Sequence, residues 1–325
     1  MILPFYLDDN FFNSPYLYDE NLDVMHDSFL NFWKNYGILI ISKEKSILYY
    51  LEKIKDFPPI FQQSWKEAFN NFLIYKLEDL IIESFMNVNN DYSYYFNFKD
   101  ILNFGLTDLD GFHKIIRFNN YNKDSCVQIM AFDNYSKSTN YQKIINMSKS
   151  IDVDSDRQIV WNERFKFLGK HTNNIKVIDR FFYKNLREDN TIRDTHFKNF
   201  LSLLLQNSID KINFTIFSAG GDEKSDEKFE LLQYFEKNII NSPPLKRVIG
   251  SLTLYSNPDS FFKPKSHDRY IVFDKHATQL GSGFQLFRNF PISRTACVLE
   301  CIDNSLIPKV LSEANSEKLW KETLI

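Results

Sequence analysis

From about residue 165 to the end of the chain, short apolar runs alternate with longer stretches of helical spacing. KVIDRFFY reads as a strand and DTHFKNFLSLLLQNSI as a helix with Asp194 or Thr195 as its cap. INFTIFSA is the next strand, and DEKSDEKFELLQYFEKNI a helix laced with i,i+4 charge pairs. VIGSLTLYS, DRYIVFD and HATQLGSGFQLF then read as three strands, TACVLECID as another, and KVLSEANSEKLWKETLI as a closing helix. Single strands alternating with helices, followed by a run of strands, predict an α/β layered domain.

The first half has a different texture. ENLDVMHDSFLNFWKNYG predicts a helix stopped by Gly37, ILIIS (38–42) a short buried strand, and KEKSILYYLEKIKD a second helix. Pro58 and Pro59 break the pattern, and SWKEAFNNF and YKLEDLIIESFMNV resume it. After Asn90, YSYYFNF, KIIRF and CVQIMAF read as strands, and YQKIINMSKSI as a helix. An α+β domain is expected over 1–150. The acidic run IDVDSDRQIVWNE forms the boundary to a second domain over 151–325. A chain of 325 residues accommodates both. With 32 Phe and 17 Tyr against 9 Gly and 10 Pro it has the material for packed cores.

A net charge of −3 excludes a strongly basic coat and leaves room for a local basic groove. Cys126, Cys297 and Cys301 make no disulfide framework and read as reduced core thiols. The opening MILPFYLDDNFF lacks the pattern of a signal peptide, and no apolar run approaches a membrane span. The expected setting is the reducing cytoplasm, with no membrane partner.

The chemistry concentrates in SHDRYIVFDKHATQLGSG (266–283). If DRYIVFD is a strand, alternation puts His267, Arg269, Ile271 and Phe273 on one face and Asp268, Tyr270, Val272 and Asp274 on the other. An imidazole and a guanidinium in one space suit a phosphate: Arg offers a fork of donors, and His attacks phosphorus or moves a proton near neutral pH. Asp274, on the opposite face, is better placed to anchor the strand. Gly281 and Ser282, one strand later, reach His267 across a hairpin. There a glycine admits a phosphate closely and a hydroxyl donates to it.

The spacing H-x-R-x(4)-D-x(6)-G-S resembles the signature of the phospholipase D superfamily, whose usual form is H-x-K-x(4)-D-x(6)-G-S-x-N. His267, Asp274, Gly281 and Ser282 match in register; Arg269 replaces the usual lysine, and Phe284 stands where the family has asparagine. The resemblance covers roughly the last half of the chain. It implies a phospholipase D-like mixed β-sheet flanked by helices and a metal-independent phosphodiesterase without cofactor. His267 would be the nucleophile, Arg269, Gly281 and Ser282 the phosphate grip, and Glu300, in the next strand, the orienting acid. A second histidine, supplied in this family by a second motif, would protonate the leaving group. No second copy is present: His196-Phe197-Lys198 has the first three positions, but Leu203 sits where aspartate is required. The missing half comes from a homodimer or a partner protein, or the site is degenerate and the domain serves as a binding or sensor module. Single-motif relatives suggest a nuclease of bacterial, antiviral defence.

Lys246 and Arg247 in PPLKRV, with Lys263 and Lys265 in FFKPKSHDR, are candidates for a nucleic-acid groove edged by Phe261 and Phe262; a solvated loop over two buried rings is the alternative. Asp152, Asp154, Asp156 and Glu163 echo a calcium loop, but Arg157 takes its glycine position, which favours an acidic turn capping a helix. SAGGDEKS lacks the Lys-Ser/Thr of a phosphate-binding loop. Asp8, Asp9, Asp108 and Asp110 read as caps and turns rather than a metal site.

Overall fold

The computed structural model describes residues 2–77, 81–89, 91–118, 121, 127–147, 151–190, 194–207, 210–265, 269–288, 292, 298–300 and 306–325. Cys126, Cys297, Cys301 and His267 lie outside them. The chain forms two compact units, one over Ile2–Met147 and one from Ser148 to Ile325. Both are α/β.

The first unit holds β1 (Leu3–Leu7), α1 (Asp23–Tyr36), β2 (Gly37–Ile41), α2 (Ile47–Lys53), α3 (Pro59–Asn71), β3 (Ile74–Lys76), β4 (Phe104–Thr107), α4 (Leu109–Ile115), β5 (Gln128–Ala131) and α5 (Thr139–Met147). Its sheet is wholly parallel, in the order β3-β2-β1-β4-β5. Every residue of β1, β2, β4 and β5 is buried, as expected of parallel strands covered on both faces. On one face Leu3, Phe5 and Leu7 pack with Phe29 and Trp33 of α1 and Trp65 and Phe69 of α3.

Three stretches depart from the sequence expectation. YSYYFNF is a 3-10 helix, Tyr92–Phe98, rather than a strand. Its buried residues Tyr92, Tyr95 and Phe98 recur every third position, which is the 3-10 period. KIIRF is the end of α4 and a turn. In YKLEDLIIESFMNV, residues 81–88 are loop and turn rather than helix, because the backbone is claimed by side chains at the sheet edge. Ser42 Oγ accepts from Ile82 N, Tyr6 donates to Ile82 O, and Asp8 accepts from Phe85 N.

The second unit opens with α6 (Arg157–Val160) and α7 (Lys166–His171), joined by a π-helical turn over Trp161–Phe165. It continues with β6 (Asn174–Ile178), α8 (Phe182–Asn190), α9 (His196–Leu205), β7 (Ile212–Ser218), α10 (Asp226–Phe235), α11 (Pro243–Lys246), β8 (Ile249–Ser256) and α12 (Asp259–Lys265). β9 (Tyr270–Phe273), β10 (His276–Leu280), β11 (Val298–Glu300), α13 (Leu306–Ser316) and β12 (Trp320–Thr323) follow. The seven-stranded sheet is mixed, in the order β11-β10-β9-β6-β7-β8-β12. β6, β7 and β8 are parallel; β9 is antiparallel to β6, β10 to β9, β11 to β10 and β12 to β8. One face buries Ile178, Phe217, Tyr255, Tyr270 and Val272 against Phe261, Phe262, Ile307 and Val310. The other carries aromatic contacts such as Phe197 on Phe214 and Phe165 on Phe273.

The closing helix is shorter than its spacing suggests. α13 stops at Ser316, and Trp320 enters the sheet, its ring stacked on Tyr183 and its Nε1 donating to Gly221 O. KVIDRFFY likewise gives a strand only to Ile178 before α8 begins at Phe182. Asp156 caps α6 by accepting from Gln158 N and Ile159 N. No helix among the described residues is long and apolar enough to cross a membrane.

His26 of α1 makes one part of this architecture pH-sensitive. It is buried, stacks on Phe61 at 3.8 Å, and its Nδ1 accepts from Trp65 Nε1 at 2.9 Å. Burial pushes its pKa down to about 4. The unfolded chain takes up this proton near pH ~6.5, so the stability it contributes is full above that value and is lost as pH falls through about 4. Urea midpoints of the parent should fall between about pH 7 and pH 5. His26→Gln, which keeps an acceptor but does not titrate, should flatten that fall; an equal fall in both proteins would contradict it.

Candidate functional site

The β9–β10 hairpin separates two kinds of residue to opposite edges of the sheet. At one edge lie the carboxyl ends of β6, β7, β8 and β10 and the start of β9. At the other lie the two-residue turn Asp274-Lys275 and the start of β6. Asp274 has φ 51°, a left-handed conformation that aspartate tolerates better than most residues. Its carboxylate accepts from Thr172 Oγ1, Asn173 N, Asn174 N and Asn174 Nδ2 at 2.9–3.2 Å. It therefore ties the hairpin to the strand beside it.

Arg269 and Ser282 lie at the carboxyl edge. Leu280 N donates to Arg269 O at 2.7 Å, which sets the start of β9 beside Gly281 and Ser282. Ser282 Oγ is buried and has no hydrogen-bond partner among the described residues. Arg269 points its Nε at Asp179 Oδ1, 3.7 Å away, and its guanidinium lies 5.2 Å from the centre of the Phe181 ring. Asp179, the first residue after β6, is buried; it accepts from Phe284 N at 2.8 Å and from Phe181 N at 2.9 Å. Burial raises its pKa, against the lowering pull of Phe284 N, Arg269 and Phe181 N.

Sequence inspection missed Asp179, which lies about ninety residues before the motif and carries no spacing signal. It gave Gly281 the role of admitting a phosphate and gave Gly283 none, although Gly283 has φ 66°. A Cβ at Gly283 would collide with Arg269 Cδ and Asp179 Oδ2. Phe284, which stands in place of an amide, turns its ring into the core. It packs on Phe182, Phe200 and Phe287 at 5.0–5.1 Å and on His196 at 5.5 Å.

The other expected residues are not all brought here. Lys246 ends α11 and Arg247 follows it, just before β8 begins at Ile249; they sit at the Asp274 edge, away from Arg269. β8 is eight residues long, or roughly 26 Å at 3.3 Å per residue. Lys263 and Lys265 belong to α12, after the carboxyl end of β8, on the Arg269 side. Glu300 pairs in register with Thr278, two positions from the Leu280–Val298 pair that borders Gly281. His196 starts α9 and is buried; Asp189 Oδ2 lies 3.3 Å from its Nδ1, and Arg288 Nε bonds the other oxygen of Asp189. Burial pushes the His196 pKa down despite Asp189 and Asp179.

The carboxyl edge of the other sheet is also rich in aspartate, but its carboxylates are already engaged. Asp8, after β1, is buried, and its oxygens accept from Asn10 N, Asn10 Nδ2, Ser84 Oγ, Phe85 N and Thr107 Oγ1. Asp108 caps α4 through Gly111 N, and Asp9 pairs with Lys45 at 2.6 Å. Among the described residues no group of three or more His, Cys, Asp or Glu is arranged to hold a metal ion.

No protein-family model, curated protein or solved structure matches the chain.

The Gly283 geometry yields a direct test. Gly283→Ala forces a side chain into a left-handed backbone and into the Asp179–Arg269 contact. It should cost about 1–3 kcal/mol in urea unfolding. Gly281→Ala serves as the comparison, and an unchanged midpoint for Gly283→Ala would show that the loop relaxes freely.

Proposed function

We propose that the second unit is a metal-independent phosphodiesterase that cleaves nucleic acid through His267. The observation that carries the proposal is the meeting of Arg269 with Gly281 and Ser282 at the carboxyl edge, where Ser282 Oγ is buried with its hydrogen-bonding capacity unused among the described residues. Open α/β sheets take ligands at the carboxyl ends of their strands, where strand order reverses. Here β6 is followed by β7 on one side and flanked by β9 on the other.

In this proposal a ring nitrogen of His267 attacks phosphorus. The bond from phosphorus to the leaving oxygen breaks, and that oxygen takes a proton from a second histidine. Water then attacks the phosphohistidine, the second histidine accepts its proton, and His267 is released. Arg269 and Ser282 hold the non-bridging oxygens, whose charge grows in the transition state. The second histidine is His267 of another copy of the chain, or a group from a partner protein. Asp179 faces Arg269 at 3.7 Å and, through Phe284 N, fixes the loop after Ser282.

Phe284 favours a second reading, a binding or sensor module. Its ring belongs to the aromatic core and supplies no amide to a phosphate.

The test is cleavage of labelled DNA and RNA, single- and double-stranded, in EDTA. The parent should cut at least one substrate. His267→Ala should lose at least about a thousandfold while keeping its fold by circular dichroism. Silence from both proteins with nucleic-acid binding retained would support the second reading.

A further inference from the structure

The carboxyl edge continues past Arg269 into a cavity of about 440 Å³ formed by the loops after β6, β7 and β8. Arg180, Phe181, Lys184, Arg187, Asn257 and Asp259 are among its lining residues. Arg180 stands in the turn before α8, and Lys184 and Arg187 follow on the helix three residues apart; Arg187 is already paired with Glu227, which also lines the cavity. The Phe181 ring joins this cavity to Arg269. Its centre is 5.1 Å from the Arg180 guanidinium carbon and 5.2 Å from that of Arg269. The two cations therefore lie within about 10 Å of each other, a span on the order of one or two steps along a sugar-phosphate backbone.

We infer that this cavity is a second phosphate subsite, which holds a neighbouring phosphate of a nucleic-acid strand while Arg269 holds the one to be cut. The inference rests on the proposed nuclease reading. A ligand with a single phosphate, such as a lipid headgroup, would occupy only one of the two basic centres.

Two details fit a phosphate here. Arg180 gives Nε and Nη2 to Asp259, at 3.0 and 2.8 Å, which leaves the two N–H groups of Nη1 for a ligand. Lys184 is mostly exposed and pairs with Glu188 only at 4.0 Å, an ion pair worth little in water. Two carboxylates of the lining oppose an anion: Asp259 competes with phosphate for Arg180, and Glu227 for Arg187.

The experiment uses the full chain and a fluorescein-labelled single-stranded oligothymidylate, followed by anisotropy in EDTA over a range of salt. Arg180→Ala/Lys184→Ala should weaken binding about tenfold and lower the salt slope by about 0.7 for each phosphate that is no longer neutralised. Asp259→Asn should change affinity in the other direction, tightening binding severalfold, an effect that mere loss of a structural ion pair does not produce. Unchanged affinity in the double variant, weaker binding by Asp259→Asn, or preference for anionic lipid vesicles over the oligonucleotide would each overturn the subsite. Cleavage separates the two ideas. A parent that cuts nucleic acid while the double variant binds like the parent keeps the nuclease and loses the subsite. A parent that binds through this cavity and cuts nothing keeps the subsite and loses the nuclease.

Discussion

A carboxylate removed from water at the end of β6 holds the candidate site together. Asp179 is fully enclosed, and a charge so placed persists only if its oxygens are met by donors. It collects the amides of Phe181 and Phe284 and faces the guanidinium of Arg269, which binds three chain segments at one point. Hydrogen bonds to a charged group are worth about 1.5–3 kcal/mol each, enough to fix a loop whose backbone must also adopt φ 66° at Gly283. The position of Ser282, one residue before Gly283, follows from that bond rather than from β10, which ends at Leu280.

Behind this point lies a second enclosed polar layer. Asp189 joins His196 to Arg288, and the three couple α8, α9 and the turn after Phe287. The aromatic side chains of Phe182, Phe200, Phe284 and Phe287 fill the space between the layers. An aromatic wall of this kind keeps water from Asp179 and strengthens each of its contacts, because charges interact more strongly in a low dielectric. His196 reads in sequence as half of a second motif. In the fold it supports the layer beneath Asp179, and its buried position, with a pKa pushed down by desolvation, leaves it neutral.

How much was legible in the sequence depended on how each residue's environment is written locally. β7, β8 and β9, the helix capped by Thr195 and the helix starting at Asp226 carry their own periodicity and caps, and they stand where the pattern put them. The parallel strands β1 and β4 are short and buried on both faces, so no alternation marks them. Tyr92, Tyr95 and Phe98 mimic a strand because aromatic residues favour strands, yet their burial follows a period of three. In the site, Arg269, Gly281 and Ser282 were found through spacing along one hairpin, which is a local property. Arg180, Phe181 and Asp179 come from a crossover about ninety residues earlier, and nothing near the motif announces them. Lys246 and Arg247 show the converse error. They are close to the motif in sequence, but a strand runs between, and its length carries them to the other edge.

The two units solve the same local problem in similar ways. In each, a central parallel strand ends in a buried aspartate, Asp8 after β1 and Asp179 after β6, and each aspartate captures the amide of a distant segment, Phe85 N or Phe284 N. Asp8 is then saturated, with Asn10, Ser84 and Thr107 supplying the remaining donors, while the hydroxyls of Tyr50 and Tyr95 near it have no partner among the described residues. Among the described residues Asp179 accepts from two amides, and its third neighbour is a cation held at 3.7 Å, longer than a hydrogen bond. Near it a serine hydroxyl has no partner among the described residues, and past Phe181 opens a cavity lined by three cations and two carboxylates. Buried polar groups are nearly always paired in a finished core. At the Asp179 edge, the guanidinium of Arg269 stands 3.7 Å from its carboxylate and Ser282 Oγ is unpaired among the described residues; both are donors of the kind that bind an anion.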